Sequence, residues 1–178
     1  MKKWELLNRR KVYSSKFVNL YMDKVKLHNG KIINDFSVIE KPSYVIVVAT
    51  DNKNRVITLK EYKHGAGEFL SVLPAGHKKK NESAIEAGKR ELLEETGFVG
   101  SKFKFLGILH DYSSKDIHKG YVVRAVNVKL SREPRLEETE GIADIILLPA
   151  STLKKHIIEN KWKDSSDIAA LALAGILF

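Results

Sequence analysis

The chain has 178 residues, of which 43% are hydrophobic and 30% are charged, an ordinary composition for one soluble globular domain. It contains no cysteine, which excludes a disulfide framework and any thiolate metal site, and leaves carboxylate, imidazole and carbonyl groups as metal ligands. The net charge of +9 favours an anionic partner, with nucleotides and nucleic acid fitting equally well at this level.

Neither end of the chain predicts a secretory signal or a membrane span. The N-terminal MKKWELLNRRKVY is charged and has no apolar stretch behind it. The most apolar segment, residues 168–178, is well short of the roughly 20 residues that cross a bilayer. We therefore expect a cytoplasmic protein with no membrane partner, in which this segment forms a buried helix.

Strand signals occur along most of the chain. VNLYMDKVKL and DFSVIE lie on either side of the turn-forming pair Asn29-Gly30 and predict an N-terminal antiparallel piece. SYVIVVAT and RVITLKEY are rich in β-branched residues and are separated by the turn-forming DNKN, a pattern that predicts a hairpin. Further strands are predicted at residues 69–74, 102–110, 120–128 and 142–149.

Helix signals are fewer and sharper. Ser83, followed three residues later by Glu86, is a capping box that predicts a helix to about Thr96, with Gly97 in the left-handed C-terminal position. Two further helices are predicted to begin at Ser151 and within residues 164–166. Because these helices are spaced among the strands, the sequence predicts an α/β sandwich with a mixed sheet.

Three carboxylates are predicted to share one face of the helix that follows Ser83. Glu91, Glu94 and Glu95 are spaced at i, i+3 and i+4, so they fall within an arc of roughly 100°. They repel one another, and they lie in the last turns, where the helix dipole favours cations. A divalent cation reverses both effects, and Mg²⁺ prefers such oxygen ligands. The alternative is a solvated acidic face with lysine partners.

The residues around this helix favour the metal over the solvated face. Pro74, Ala75 and Gly76 follow a predicted strand and must bend the chain, so that their carbonyls can point at the same cation. Arg90 lies beside the cluster and can hold one carboxylate in a bidentate geometry. A loop carbonyl, helix carboxylates and an orienting arginine together predict a metal site for phosphoanhydride chemistry.

This pattern resembles the Nudix box: glycine, five residues, glutamate, seven residues, then Arg-Glu, an aliphatic residue, any residue, Glu-Glu, any residue, glycine and an apolar residue. The matching positions are Gly76, Glu82, Arg90, Glu91, Leu92, Glu94, Glu95, Gly97 and Phe98. The resemblance implies the Nudix fold, an α/β/α sandwich, with an N-terminal antiparallel β extension at residues 1–42 and the hydrolase domain at residues 43–178. It also implies attack of water on a pyrophosphate bridged by two or three Mg²⁺ or Mn²⁺ ions.

Other segments resemble the ADP-ribose and ADP-sugar pyrophosphatase branch of that superfamily. LKEYKHGAGEFLSVLPAG is similar to its strand, loop and strand before the box, EETEGIADIILLP to its acidic loop and last strand, and DSSDIAALALAGIL to its closing helix. The resemblance implies a nucleoside diphosphate sugar as substrate, a nucleoside monophosphate and a sugar phosphate as products, and a homodimer joined through the N-terminal region.

The same resemblance implies roles for individual residues. The metal ligands would be the Ala75 carbonyl, Glu91 and Glu95, with Glu94 as a further ligand or a water-orienting base, Glu82 and Arg90 as braces, and Gly76 and Gly97 as structural positions. From the later acidic loop, Glu140 would position or deprotonate the attacking water, with Glu137 and Glu138 as alternatives. Phe36 would stack on the nucleobase, although core packing is the alternative for it, and Lys63 would contact phosphate.

Several departures from that branch leave the substrate open. Val72 stands where a glutamate is usual, and Lys63 where an arginine is common. The lysine run at residues 78–80 is either a solvated loop or a means of recruiting a more anionic substrate. Two further functions therefore stay open: an RNA 5′-pyrophosphohydrolase, whose phosphate contacts the net charge of +9 would favour, and a nucleotide-sensing module without catalysis.

Overall fold

The computed structural model describes residues 2–136 and 141–178, and within them the chain forms twelve strands and three helices. The strands are β1 (Glu5–Ser14), β2 (Asn19–Lys26), β3 (Ile32–Glu40), β4 (Tyr44–Asp51), β5 (Arg55–Lys63), β6 (Glu68–Val72), β7 (Ala75–His77), β8 (Phe98–Val99), β9 (Lys102–Leu109), β10 (Asp116–Ile117), β11 (Gly120–Leu130) and β12 (Ile142–Pro149). The helices are α1 (Ala84–Thr96), α2 (Ala150–Ile158) and α3 (Ser165–Leu173).

The chain folds into two compact units. The N-terminal unit contains the residues up to Ser43 together with His110–Lys119, and the larger unit contains Tyr44–Leu109 and Gly120–Phe178. The N-terminal unit has a sheet in the order β1-β2-β3-β10, antiparallel except for the parallel pair of β3 and β10. The predicted antiparallel piece around Asn29-Gly30 is confirmed as β2 and β3.

Strand β1 and the docking of His110–Lys119 were not predicted. All ten residues of β1 are exposed, so the strand lacks the alternation of buried and exposed side chains that would have revealed it. Segment His110–Lys119 contributes β10, a two-residue strand whose pairing with β3 depends on residues far apart in sequence.

The larger unit contains a mixed sheet in the order β12-β5-β4-β11-β8, with β6 paired to β5, β7 to β4 and β9 to β11. Strands β4 and β11 run parallel, while β9, β12, β6 and β7 pair antiparallel with their neighbours. The mixed sheet predicted from the sequence is therefore confirmed.

The predicted hairpin of β4 and β5 forms at its turn and then opens. Thr50 pairs with Val56 next to the turn, and Asp51 stabilises that turn by accepting hydrogen bonds from the backbone N–H groups of Lys53 and Arg55 at 2.9 and 2.8 Å. The first half of β4 pairs instead with β7, from Tyr44 to Ile46. Strand β7 is thereby held directly against the centre of the sheet.

Two apolar clusters cover the two faces of this sheet, as alternation along β4 requires. Ile46 and Val48 pack with α2 and α3, through residues that include Leu153 and Leu171. Val45 and Val47 belong to the other cluster, which contains Ala87 and Leu92 of α1. The larger unit is therefore a helix–sheet–helix sandwich, as predicted.

Helix α1 has the predicted ends. Ser83 and Glu86 form the reciprocal capping box, in which the Ser83 side chain accepts from the Glu86 N–H and the Glu86 side chain accepts from the Ser83 N–H. Gly97 ends the helix with φ of 73°, and an added Cβ would overlap the backbone carbonyl of Arg132. Both capping groups fix where the last turn of α1, and its carboxylates, must lie.

The other two helices begin close to their predicted positions. Helix α2 starts at Ala150, and α3 follows Asp164, whose carboxylate accepts from the N–H groups of Ser166 and Asp167. The predicted C-terminal helix ends earlier than expected, at Leu173, because Gly175 adopts a left-handed φ of 69°. In the part of the chain that the structure describes, every helix is too short or too polar to cross a membrane.

Candidate active site

Strand β7 presents alternate residues to β4 and to α1. The Val47 N–H donates to the Pro74 carbonyl at 2.8 Å, so Pro74 faces β4. The next residue faces the opposite side, and the Ala75 N–H donates to Glu95 Oε2 of α1 at 2.9 Å. Because the N–H and C=O of one strand residue point to the same side, this register directs the Ala75 carbonyl towards the α1 carboxylates.

Gly76 allows the closest approach between β7 and α1. A Cβ added there would overlap the carboxylate of Glu91, whereas the glycine hydrogen leaves that carboxylate in place. Glu91 is 6% exposed and Glu95 is 4% exposed, so both carboxylates are held in the gap between strand and helix. The glycine of the predicted box is thus required by close packing.

Arg90 organises the carboxylates with all five of its N–H groups. Its Nε and Nη2 bind Glu82 in a bidentate geometry, at 2.8 and 2.9 Å. Nη1 donates to Glu91 Oε1 at 2.7 Å and to Glu94 Oε2 at 3.1 Å, and Nη2 also donates to the His77 carbonyl at 3.0 Å. One guanidinium therefore connects the loop before α1, the helix itself and β7.

The electrostatics of this cluster are unbalanced. The Arg90 hydrogen bonds lower the pKa of Glu82 to about 2, although partial burial opposes the shift. The hydrogen bond with Glu82, followed by those with Glu91 and Glu94, raises the pKa of Arg90 above its usual value. One guanidinium thus stands among four carboxylates, those just named and Glu95, and Lys79 adds a positive charge near Glu82. The remaining excess of negative charge favours binding of a cation.

The donor atoms of this cluster suit a hard divalent ion, since they are carboxylate and carbonyl oxygens. Among residues 2–136 and 141–178, no group of three or more acidic or histidine side chains is arranged to hold a metal as it stands. The Nη1 of Arg90 binds both Glu91 and Glu94. Glu94 is the most accessible carboxylate of the three that Arg90 contacts, with 37% of its side chain exposed.

The predicted loop carboxylates, Glu137, Glu138 and Glu140, lie outside the described residues, but the chain on both sides of them is fixed. The Arg135 N–H donates to the Glu94 carbonyl at 2.8 Å, and the Tyr62 N–H donates to the Gly141 carbonyl at 2.9 Å. The role of Glu140 stays a prediction.

The two predicted substrate contacts lie elsewhere in the chain. Lys63 is at the end of β5, where its Nζ is 2.7 Å from Glu61 Oε1. Phe36 lies on β3 of the N-terminal unit. Trp4 meets its ring edge-on, at 5.5 Å between ring centroids, and the Nζ of Lys115 lies 3.4 Å from the centroid of the Phe36 ring. A base that stacked on the face covered by Lys115 would have to displace that ammonium group.

Two contacts to the strand before α1 were missed by sequence reasoning. One is the His77 carbonyl, which only the bound position of Arg90 reveals. The other is Asp167 of α3, whose Oδ2 accepts from the Leu73 N–H at 2.9 Å across 94 residues of sequence. An acidic residue at the start of an otherwise apolar helix was the signal available for it.

Comparisons with known proteins agree with this geometry. The family model described as NUDIX domain matches residues 40–168. A methanol dehydrogenase activator of Bacillus methanolicus is 27% identical over 163 residues, covering 90% of this chain and 86% of that protein. An ADP-ribose pyrophosphatase of Bacillus subtilis (strain 168) is 30% identical over 94 residues, covering 53% of this chain and 50% of that protein.

The fold has a clear structural counterpart. A solved structure described as the crystal structure of an ADP compounds hydrolase superposes with a TM-score of 0.83 and 23% identity, covering 98% of this chain and 94% of that one. At this identity the likeness concerns the fold. With the family match over most of its length and every box position filled, the chain belongs to the Nudix hydrolase superfamily.

Proposed function

We propose that this Nudix hydrolase uses Mg²⁺, or Mn²⁺ in its place, to hydrolyse the pyrophosphate bond of ADP-ribose or a related nucleoside diphosphate sugar. The products are a nucleoside monophosphate and a sugar phosphate. The ADP-ribose pyrophosphatase and the ADP compounds hydrolase to which the chain is similar support this substrate class. The single observation that carries the chemistry is the excess of carboxylate over guanidinium around Arg90.

The metal would be held by the Ala75 carbonyl, Glu91 and Glu95, with Glu94 as a further ligand. When bound, such an ion neutralises diphosphate charge and lowers the pKa of a coordinated water. Mg²⁺ usually combines one or two carboxylates with waters and substrate phosphate oxygens, so a preformed protein cage is not required. The bidentate hold of Arg90 on Glu82 keeps the helix and the loop before it in register while the other carboxylates exchange partners.

The attacking water would be oriented by an accessible carboxylate. Glu94 is partly exposed and lies beside the buried pair, which makes it one candidate. Glu140 is the other, with Glu137 and Glu138 as its rivals, because Arg135, shortly before them in sequence, binds the Glu94 carbonyl through its N–H. Single glutamine substitutions at these four positions separate the candidates, since the general base contributes typically 10²–10⁴-fold to the rate.

A substrate panel tests the proposal. The protein is incubated with Mg²⁺ and, in separate reactions, ADP-ribose, other nucleoside diphosphate sugars, dinucleoside polyphosphates and 5′-triphosphorylated RNA, with products followed by ³¹P NMR. We expect the highest kcat/KM for a nucleoside diphosphate sugar. Turnover of RNA alone would replace our first choice by the RNA 5′-pyrophosphohydrolase, and binding without turnover would indicate a sensing module.

The matched variants Glu95→Gln and Glu86→Gln make the panel specific to the carboxylate cluster. Both remove one charge from α1, but Glu86 lies in the first turn, at the capping box, whereas Glu95 lies in the last turn. Loss of a metal ligand worth several kcal/mol lowers kcat about 10³-fold or more. We expect that loss for Glu95→Gln and nearly unchanged kcat for Glu86→Gln. Survival of activity in Glu95→Gln within a few-fold contradicts the metal assignment.

We further propose that the protein is a homodimer joined through its N-terminal unit. Strand β1 is a fully exposed sheet edge, and its apolar side chains include Leu6 at 53% and Tyr13 at 57% exposure. Such an edge is prone to pair with another chain unless it is covered. Light scattering after gel filtration should give twice the 20.2 kDa chain mass, and a monomer mass removes this proposal.

A second candidate function follows from the Bacillus methanolicus relative, which covers 90% of this chain and is named an activator of methanol dehydrogenase. The present protein would then stimulate a dehydrogenase through its hydrolase site. Adding it to a methanol dehydrogenase assay, with Glu95→Gln as control, tests this. Stimulation by the native protein but not by the variant supports it, and equal rates with and without the protein contradict it.

A further inference from the structure

Asp167 is a buried carboxyl group that the proposed chemistry does not use. It lies in the first turn of α3 and is 3% exposed. The helix cap is supplied by a different residue, Asp164, whose carboxylate accepts from the first N–H groups of α3. The Oδ2 of Asp167 instead accepts from the Leu73 N–H at 2.9 Å. Its carboxyl is therefore committed to a distant segment of the chain.

Keeping a carboxyl at this position is costly. Burial raises the pKa of Asp167 well above its usual value, and the negative charge of Asp164 adds to the rise. Replacing buried charged groups by apolar residues of similar volume is often neutral or stabilising. Leu73, Trp162 and Leu171 all belong to the apolar cluster on this face of the sheet. The Trp162 side chain is a second hydrogen-bonding partner of this carboxyl and opposes the rise in its pKa.

The segment that Asp167 holds leads directly into the site. The Leu73 N–H donates to the Asp167 carboxyl, the Pro74 carbonyl accepts from the Val47 N–H, and the Ala75 N–H donates to the Glu95 carboxylate. These three successive residues are thus fixed from α3, from the sheet and from α1 respectively. Because α1 and α3 cover opposite faces of the sheet, this short segment passes between the two layers. Its position depends on both helices.

We propose that Asp167 is a positioning residue that holds residues 73–75 so that the Ala75 carbonyl stays aimed at the carboxylates of α1. The inference rests on the proposed function, in which that carbonyl binds the metal. Without the Asp167 acceptor, the Leu73 N–H loses its partner in an apolar layer, and the segment moves to find another. A displaced carbonyl weakens metal binding and slows turnover, while recognition of the nucleotide stays nearly unchanged.

The test compares Asp167→Leu and Asp167→Asn with Leu153→Ala. Leucine is larger than aspartate and removes the acceptor, whereas asparagine has the shape of aspartate and keeps the acceptor. Leu153 is fully buried in the same apolar cluster, on α2, so its truncation lowers stability without removing the acceptor of the Leu73 N–H. If Asp167→Leu does not fold, Asp167→Ala removes the same acceptor.

Three readouts are used. Mn²⁺ affinity is measured by electron paramagnetic resonance, kcat and KM are measured on the best substrate of the panel, and hydrogen exchange of residues 73–77 is measured in the metal-free protein. For Asp167→Leu we expect Mn²⁺ affinity and kcat to fall about 10- to 100-fold, with KM within about threefold and faster exchange at residues 73–77. Asp167→Asn should stay within about threefold of the native protein in all three.

The outcomes separate the inference from the proposed function. Two results would show that Asp167 has no positioning role while the native protein binds Mn²⁺ and turns over substrate. In one, Asp167→Leu has native Mn²⁺ affinity and kcat. In the other, Leu153→Ala loses as much Mn²⁺ affinity and kcat as Asp167→Leu at an equal loss of Tm. If the native protein neither binds Mn²⁺ nor hydrolyses any diphosphate, the proposed function fails and the inference falls with it. Exchange of residues 73–77 shows in either case whether Asp167 holds the segment.

Discussion

Two arginines in this molecule bind carboxylates in opposite ways. In the N-terminal unit, Arg9 forms a bidentate pair with Asp23 at 2.8 and 2.6 Å, one charge against one. In the larger unit, Arg90 stands among four carboxylates, of which Glu91 and Glu95 are buried. The first pair is balanced, whereas the second cluster keeps an excess of negative charge that costs stability unless a cation arrives. The difference teaches that unbalanced burial of charge marks a functional site more reliably than an ion pair does.

The largest effect that would sharpen this comparison comes from Gly76→Ala. The new methyl group would overlap the Glu91 carboxylate and force it from its position. We expect kcat to fall about 10- to 100-fold, as when a group that orients a metal ligand is lost, with Tm little changed. Gly65→Ala is the matched control, because nothing lies within 4 Å of its added Cβ. Steady-state kinetics and thermal unfolding measure both variants. A native kcat in Gly76→Ala would contradict the claim that this position must stay free of a side chain.

The balanced pair should respond in stability alone. Asp23→Asn leaves Arg9 opposite a neutral amide at a position that is 3% exposed. We expect a loss of about 1.5–3 kcal/mol in the free energy of unfolding, the usual worth of hydrogen bonds to charged groups. Asp35→Asn, an exposed position on β3, should stay within about 0.5 kcal/mol. Urea unfolding measures both, and equal effects of the two substitutions contradict the role of the pair.

In the metal-free protein, Glu95→Gln should raise the free energy of unfolding, whereas Asp23→Asn lowers it. The amide still accepts from the Ala75 N–H, while one of the mutually repelling charges disappears. We expect the free energy of unfolding in EDTA to rise by about 0.5 kcal/mol, the usual size of a like-charge pair at helical spacing. Added Mg²⁺ should stabilise the native protein and not the variant. A fall of Tm in EDTA would show that the cluster is balanced after all.

The last prediction concerns the stability of the protein in acid. The pKa of Glu82 is lowered from 4.5 to about 2 by its hydrogen bonds from Arg90. Its folded pKa lies below the unfolded one, so its contribution to stability is complete above pH 4.5 and is lost as pH falls through 2. The stability difference between the native protein and Glu82→Gln should therefore shrink over that interval. Urea unfolding at successive pH values measures it, and a constant difference would be inconsistent with the lowered pKa.

The parts of the site encoded by nearby residues were predictable from the sequence. Ser83, Glu86 and Gly97 fixed the ends of α1 through local capping chemistry, and the spacing of the glutamates along that helix gave the carboxylate face. The contact between Asp167 and Leu73 was not predictable, because it joins residues 94 positions apart and follows from the packing of α3 on the sheet. Strand β1 was missed because exposure along its whole length leaves no periodic signal.

Every N–H of the Arg90 guanidinium is engaged by acceptors of its own chain between His77 and Glu94. In this arrangement Arg90 has a structural role, and none of its N–H groups is left to bind a ligand. Capturing an incoming phosphate would then fall to other cations, and we propose the lysines at residues 78–80 and Lys63 for that role. On this proposal, Arg90 holds the site together and the lysines bind the substrate.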